Sequence, residues 1–395
     1  LKVLDGLKKL QLRQNNINGP IPSELGELPL LEEIDLRQNE LAGEIPDSIF
    51  ELPNLKRLIL LRNGELTGSI PSSIGSASSL EMISFHQCQL TGTLPESMGD
   101  LSNLYFLTLM GNYFSGSVPA AFTKLSKLEV LELSDNSFTG HIPNFNGDSQ
   151  PGLYFVSLFN NKFSGNIPET FGSLTDMLFL DLHDNEIEGT IPSIIGNLPN
   201  LTTFYVSSNK LVGSLPSFAG NEGMLKVIDI SENKVTGRVQ DFFTEDGPSE
   251  RLVKVNFESN QLSGIIPPSI GLYDSMKEFA IASNFISGSM PSEIGELSKL
   301  EHFSVGNNNM KGYIPYKIGN LNKLISLNLE ENNFFGVVPS SLNSLPKLDE
   351  LRLNGNNFRG TLDDTFCQVN DSRDFSIFVA DCLTGVSCSC CTSCL

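Results

Sequence analysis

Residues 300–323 read LEHFSVGNNNMKGYIPYKIGNLNK, and their pattern decides the fold. Phe303 and Val305 alternate with polar neighbours, followed by Asn308, Met310, Gly312 and the pair Ile314-Pro315. The frame returns 24 residues later as Leu327, Leu329, Asn332, Phe334, Gly336, Val338 and Pro339. Self-similarity at a fixed period of this size marks a stacked-repeat architecture. The alternating apolar pair predicts a short strand with one buried face. After it the chain must turn inward, which leaves buried backbone groups without ladder partners. An asparagine offers them one acceptor and two donors, and each group left unpaired costs roughly 1–3 kcal/mol. Gly312 lets the backbone turn and approach closely, and Pro315 fixes φ at the start of the return segment.

Outward from this stretch the asparagine column runs Asn15, Asn39, Asn63, Cys88, Asn112, Asn136, Asn161, Asn185, Asn209, Asn233, Asn260, Asn284, Asn308, Asn332 and Asn356. Only Cys88 departs from it, and the matching glycine column from Gly19 to Gly360 is unbroken. Proline follows the apolar position everywhere except at Gln240 and Asp363. Spacing is 24 residues, apart from 25 at two places and 27 before Asn260, where three extra residues fall near Glu245–Glu250. A single unit of this length cannot bury its apolar face alone, so the units must stack.

The pattern L-x-L-x-x-N-x-L-x-G-x-I-P resembles the plant-type leucine-rich repeat, the class found in plant receptor-kinase ectodomains and polygalacturonase-inhibiting proteins. The resemblance covers nearly the whole chain. It implies an α/β repeat fold, a right-handed leucine-rich-repeat solenoid with a parallel concave β-sheet and a convex side of short 3-10 turns and loops. On this reading residues 1–364 form the solenoid, in about fifteen repeats, and residues 365–395 a Cys-rich C-terminal cap. The implied partners are proteins, peptides or cell-wall polysaccharides met on the concave face.

A length of 395 residues would ordinarily suggest two or three domains, but the period overrides that prior. The net charge of −20 (26 basic against 46 acidic residues) argues against nucleic acid or an anionic membrane as partner. No stretch reaches 18 consecutive apolar residues, so no helical membrane span is expected in these residues. The array starts in frame at Leu4, Leu7, Leu10 and Leu12 without the family's cysteine-bearing cap. Further residues before Leu1, or another chain covering that edge, are therefore expected.

The cysteines point outside the cell. Cys367, Cys382, Cys388, Cys390, Cys391 and Cys394 form an even, dense cluster after the last repeat, which reads as a disulfide-stapled cap of open connectivity. A zinc site at Cys391-x-x-Cys394 is the weaker reading, because no histidine lies near; no metal and no cofactor is expected. Cys88 stands alone in the ladder column and reads as a free structural thiol. The tail CSCCTSC looks like that of secreted algal repeat proteins. The sequons at Asn200 and Asn370 agree with a secreted glycoprotein.

Repeat columns also order the solvent face of the strands. Units one to three present Arg13, Arg37, Arg57 and Arg62 with Glu33 and Asp35, where internal pairing is the expected arrangement. Units four to nine place Met82, Phe106, Phe155 and Phe179 in one column, with Val130 among them and Met110, Phe159 and Tyr205 nearby. Adjacent strands lie about 4.8 Å apart, so these side chains should form a contiguous apolar surface rimmed by His86, Glu132, Asp181 and His183. Such a patch calls for a partner, and shielding by neighbouring side chains is the competing reading. No catalytic motif occurs, and His86, His141, His183 and His302 are scattered, so an enzyme is not expected. The functional expectation is an extracellular, receptor-like recognition module using Met82, Phe106, Met110, Phe155, Phe159, Phe179 and Tyr205. The alternative is a structural subunit of an extracellular matrix or surface appendage, assembled end to end or along its flanks. Ice binding is disfavoured because the columns are chemically mixed.

Overall fold

The computed structural model describes residues 4–221, 223–244, 251–367, 375–382 and 386–394. Leu1, the extra residues near Glu245–Glu250 and the sequon asparagine Asn370 lie outside the described residues. The chain divides into two compact units, Leu1–Leu201 and Thr202–Leu395.

In the first unit the strands Lys9–Gln11, Glu33–Asp35, Arg57–Ile59, Met82–Ser84, Phe106–Thr108, Val130–Glu132, Phe155–Ser157 and Phe179–Asp181 lie parallel in continuous register. In the second, parallel pairing links Thr203–Tyr205, Val227–Asp229, Lys254–Asn256, Glu278–Ala280, His302–Ser304, Ser326–Asn328 and Glu350–Arg352. Both are leucine-rich-repeat solenoids built from one rule. The middle residue of each strand points inward, so Leu107, Leu131, Val156 and Leu180 are all fully buried. Phenylalanines fill the next layer, with Phe114, Phe138 and Phe163 stacked at successive centroid distances of 6.1 Å.

Most repeats then pass through a proline into a one-turn 3-10 helix. Pro95 (φ −72°) leads into Glu96–Asp100, and Pro315 (φ −66°) into Tyr316–Asn320. The fixed φ of proline suits the entry, and in most repeats a leucine closes the turn, as Leu101 N–H does on the Met98 carbonyl, with Ala77 and Tyr273 in that place elsewhere. Between the strand and this helix, short lateral strands form second parallel sheets, including Tyr113–Ser117 beside Ser137–His141 and Asn309–Gly312 beside Asn333–Gly336.

The asparagine column does what the turn requires. Asn112 Nδ2 donates to the carbonyls of Leu109 (2.9 Å) and of Phe85 in the preceding repeat (2.8 Å). Its Oδ1 accepts the Leu90 N–H at 3.1 Å. The same triad recurs at Asn284, from Ile281, Phe257 and Leu262. At Cys88 the thiol makes only weak contacts, 3.4 Å to the Leu60 carbonyl and 3.8 Å to that of His86. The Leu66 N–H, which an asparagine would have bound, turns back to the Asn63 carbonyl at 3.1 Å. The residue before each ladder position is left-handed, for example Arg62 (φ 58°), Asp135 (53°), Ser259 (55°) and Glu331 (51°). The ladder's hydrogen bonds hold a conformation that costs roughly 1–2 kcal/mol for a non-glycine residue.

The cysteine-rich tail extends the second unit's ladder. Ile377–Ala380 pairs parallel with Glu350–Arg352, and Ser393–Cys394 pairs in turn with Val379–Ala380. Disulfides join Cys367 to Cys390, Cys382 to Cys394 and Cys388 to Cys391. Beneath them Phe366, Phe375 and Phe378 pack together, with centroid distances of 4.9 to 6.0 Å.

Candidate functional site

The outer face of the first unit's sheet is ordered in columns. Met82, Phe106, Val130, Phe155 and Phe179 stand directly beside one another in register. Ser84, Thr108, Glu132, Ser157 and Asp181 form the next column. His86, Met110, Ser134, Phe159 and His183 lie beyond it, as the backbone bonds at this corner show. One-face alternation thus brings together six of the seven apolar residues singled out above: Met82, Phe106, Met110, Phe155, Phe159 and Phe179. The seventh, Tyr205, belongs to the second unit, opposite Asp229.

The face is more closely packed than alternation alone implies. All seven of these side chains are half-buried. Phe155 and Phe179 stack in parallel with centroids 4.5 Å apart, and Phe159 stacks on the His183 imidazole at 4.6 Å. Each ring shields its neighbour, so what these pairs offer a partner is largely ring edge. The middle column is nearly buried, with Thr108 and Ser157 each 2% exposed. Ser134, between Met110 and Phe159 in its column, is fully buried, and its hydroxyl has no partner among the described residues.

The acidic residues here serve the fold. Asp181 Oδ1 accepts the His183 backbone N–H (3.2 Å) and meets His183 Nδ1 at 2.6 Å. Asp35 and Asp229 likewise accept the amides of Arg37 and Ser231, two residues on. Asn256 and Asn328 do the same for Glu258 and Glu330. This side-chain turn closes the corner where the strand ends. Sequence reading missed it, although Asp or Asn at this column was the available signal. Thr108 donates to Glu132 at 2.7 Å. Burial holds His86 below the usual histidine range, against the opposing pull of Glu132.

The basic corner pairs internally. Arg57 and Gln11 both reach Glu33, and Arg37 meets Asp35 at 2.8 Å. Burial alone would raise the Glu33 carboxyl, but the hydrogen bonds from Gln11 and Arg57 outweigh it and hold it below the usual range. Asn200 is also occupied: its Nδ2 donates to the Thr175 carbonyl at 2.9 Å, as Asn54 and Asn103 donate to Pro29 and Ser78. A glycan on Asn200 would take one of the two Nδ2 hydrogens and leave the other for that bond. Cys88 is buried, and burial pushes its thiol up to about 11. Beside exposed His141 runs an open cleft of about 520 Å³ lined by Asn144, Asn166, Glu169 and Glu188.

The most exposed large apolar side chains lie elsewhere. Tyr113, Phe285, Tyr313, Tyr316 and Val337 are 58–74% exposed, and all sit on or beside the lateral strands or at a helix start. Among the described residues no helix is long and apolar enough to cross a membrane.

Comparison with known proteins places this geometry. The Leucine Rich Repeat family model matches residues 6–28, 30–52, 127–148, 152–174, 177–198, 251–272 and 323–345. The crystal structure of PEPR1-AtPEP1 is similar at 30% identity and a TM-score of 0.89, over 97% of this chain and 52% of that one. The chain therefore spans about half the length of that relative. The plant peptide hormone receptor RGFR1, solved in complex with RGF2, is similar at 28% identity and a TM-score of 0.55, over 92% of this chain and 73% of that one. A leucine-rich repeat protein of Leptospira interrogans shares 26% identity and a TM-score of 0.63, over 88% of this chain and 90% of that one. A search of curated proteins finds no match.

Proposed function

Because the chain is a leucine-rich repeat protein of the kind found in plant receptor-kinase ectodomains, we propose that it is an extracellular, non-catalytic recognition module that receives a peptide or protein segment on the first unit's sheet face. The observation that carries this reading is the in-register column Met82, Phe106, Val130, Phe155 and Phe179, set beside a column of hydroxyls and carboxylates. Ring edges spaced at the strand interval suit the apolar side chains of an extended segment, and the polar column suits its amides. A broad sugar face is less well matched, because Phe155 and Phe179 each turn a face to the other, as do Phe159 and His183. The relative RGFR1 is itself described as a peptide hormone receptor in complex with RGF2, which supports a peptide as the partner class. The cysteine-stapled tail supports an oxidising, extracellular setting.

The test is differential selection from a displayed random-peptide library on the wild-type chain and on a Phe155→Ser/Phe179→Ser double variant. Peptides enriched on the wild type that fail to bind the double variant support the proposal. Equal enrichment on both would place recognition off this face.

A further inference from the structure

The lateral sheet of the second unit carries a surface of a different kind. Its strands Phe285–Gly288, Asn309–Gly312, Asn333–Gly336 and Asn357–Phe358 run parallel. Their edge presents Tyr313 at 66% exposure, Phe335 at 41% and Val337 at 67%. The two rings meet at 67° with centroids 4.7 Å apart. Tyr313 owes its place to Gly336 in the next repeat. A Cβ on Gly336 would lie 2.5 Å from Tyr313 Cδ1 and Cε1 but 3.8 Å from Cγ, so the ring meets that position edge-on. With one edge seated on glycine, much of what Tyr313 exposes is ring face.

Polar side chains frame this platform. Lys311 stands opposite Asn333, Phe335 opposite Asn357, and Asn309 opposite Ser287. Arg359 is held beside Gly336 by its backbone N–H, which donates to the Gly336 carbonyl at 2.8 Å. Lys311, Arg359, Asn309, Asn333 and Asn357 are all exposed. Among the described residues none of their side chains makes a hydrogen bond or ion pair. In a chain of net charge −20, the charges on this strip are both positive and both unpaired.

We infer that this strip binds an acidic polysaccharide chain. An exposed aromatic face packs against the C–H face of a sugar ring. Amides beside it can both donate to and accept from ring hydroxyls. Lysine and the arginine fork supply the charge-assisted bonds that a uronate carboxylate or a sulfate ester would accept. A second protein surface is a poorer occupant, because a stable protein interface needs about 800 Å² and roughly 20–30 residues per partner, and Tyr313, Phe335 and Val337, even with Phe285 and Tyr316 nearby, fall well short of that. The site is separate from the peptide-recognition face proposed for the first unit and does not depend on it.

Affinity electrophoresis of the whole chain through gels containing polygalacturonate, a sulfated galactan or a neutral xyloglucan tests the inference. The wild type should be retarded by at least one anionic polymer and not by the neutral one, with retardation falling as salt rises. Tyr313→Ala should weaken retention at least tenfold at an unchanged melting temperature. Lys311→Gln/Arg359→Gln should do likewise and flatten the salt dependence, whereas Phe155→Ser/Phe179→Ser should bind as the wild type does. Retention by only one of the two anionic polymers supports the inference and identifies the anion. It is overturned if neither anionic polymer retards the wild type, or if Tyr313→Ala is retained as strongly as the wild type. It is also overturned if Tyr313→Ala abolishes a concentration-dependent self-association of the free protein and leaves polymer retention intact, which would make the strip an interface between copies.

Discussion

Replacing Asn112 by alanine removes its three short hydrogen bonds at once, those to Phe85 (2.8 Å), Leu109 (2.9 Å) and Leu90 (3.1 Å), along with a long one to Met110 (3.4 Å). At about 1 kcal/mol net for each short bond the loss comes to roughly 3 kcal/mol, with the buried Leu90 N–H left without its acceptor. Cys88→Ala in the neighbouring repeat should behave differently. The thiol contributes two weak contacts, and the Leu66 N–H is already satisfied by the Asn63 carbonyl. Only the small volume of a sulfur is emptied, so about 1 kcal/mol is expected. Urea unfolding followed by far-UV circular dichroism compares the two variants, and native-state hydrogen exchange reads the Leu90 amide directly. That amide should lose protection in Asn112→Ala, while the Leu66 amide should keep it in Cys88→Ala. If the two substitutions cost the same within about 0.5 kcal/mol, a limit that exposed, unpartnered changes rarely exceed, the ladder is not what holds the turns, and the account of the column fails.

Leu158→Ala, at a residue 1% exposed, should cost about 2–5 kcal/mol in urea unfolding. Phe155→Ser should cost only about 1 kcal/mol, the scale of a lost ring pair; equal losses would make the face part of the core. Ser259 is exposed at φ 55° with no side-chain bond, so Ser259→Gly should be neutral or stabilise by up to about 1 kcal/mol while Ser259→Val destabilises. Glu33, held below the usual carboxylate range, contributes stability that is present above that range and is lost as pH falls through the lowered value. The urea midpoint should therefore fall between about pH 5 and pH 3, and Glu33→Gln should flatten that slope; an unchanged slope would remove Glu33 from the acid response. Cys88, buried with its thiol pushed up to about 11, should not react with a disulfide reagent at neutral pH in the folded chain, and unfolding without reductant should release one thiol.

The fold was legible because its constraints recur on fixed columns. A buried carbonyl without a partner is costly, an asparagine can satisfy it, and the asparagine therefore appears where the turn does. The register of the face was legible for the same reason: Phe106, Phe155 and Phe179 share a column position, and parallel pairing sets them side by side. Burial was not legible, because it depends on neighbours. Nothing in the spacing says that Phe155 will lie flat on Phe179, or that Asp181 will spend its carboxylate on the His183 amide. The lateral aromatics were missed through attention to the strand columns alone. Ile265, Ser289, Tyr313 and Val337 each follow a column glycine. Reading that position as a column of its own would have shown two bulky side chains, Tyr313 and Val337, in consecutive repeats of a mostly polar surface.

The glycine column links framework to decoration. Gly336 is needed for its own turn, at φ 89°, where a β-carbon is strained. The same missing carbon opens a seat on the neighbouring repeat, which Tyr313 fills from one side, whereas Val337 stands only at ordinary contact distance from the equivalent seat at Gly360. The framework thus holds ready a row of vacant seats, and the residue after each glycine decides what occupies the next. Such a position can change from Ser289 to Tyr313 in consecutive repeats without touching core or ladder, since its side chain points away from both. Both surfaces follow this logic: the strand columns and the post-glycine column vary over an invariant scaffold. Stability resides in the residues that repeat, and specificity resides in those that break the repeat.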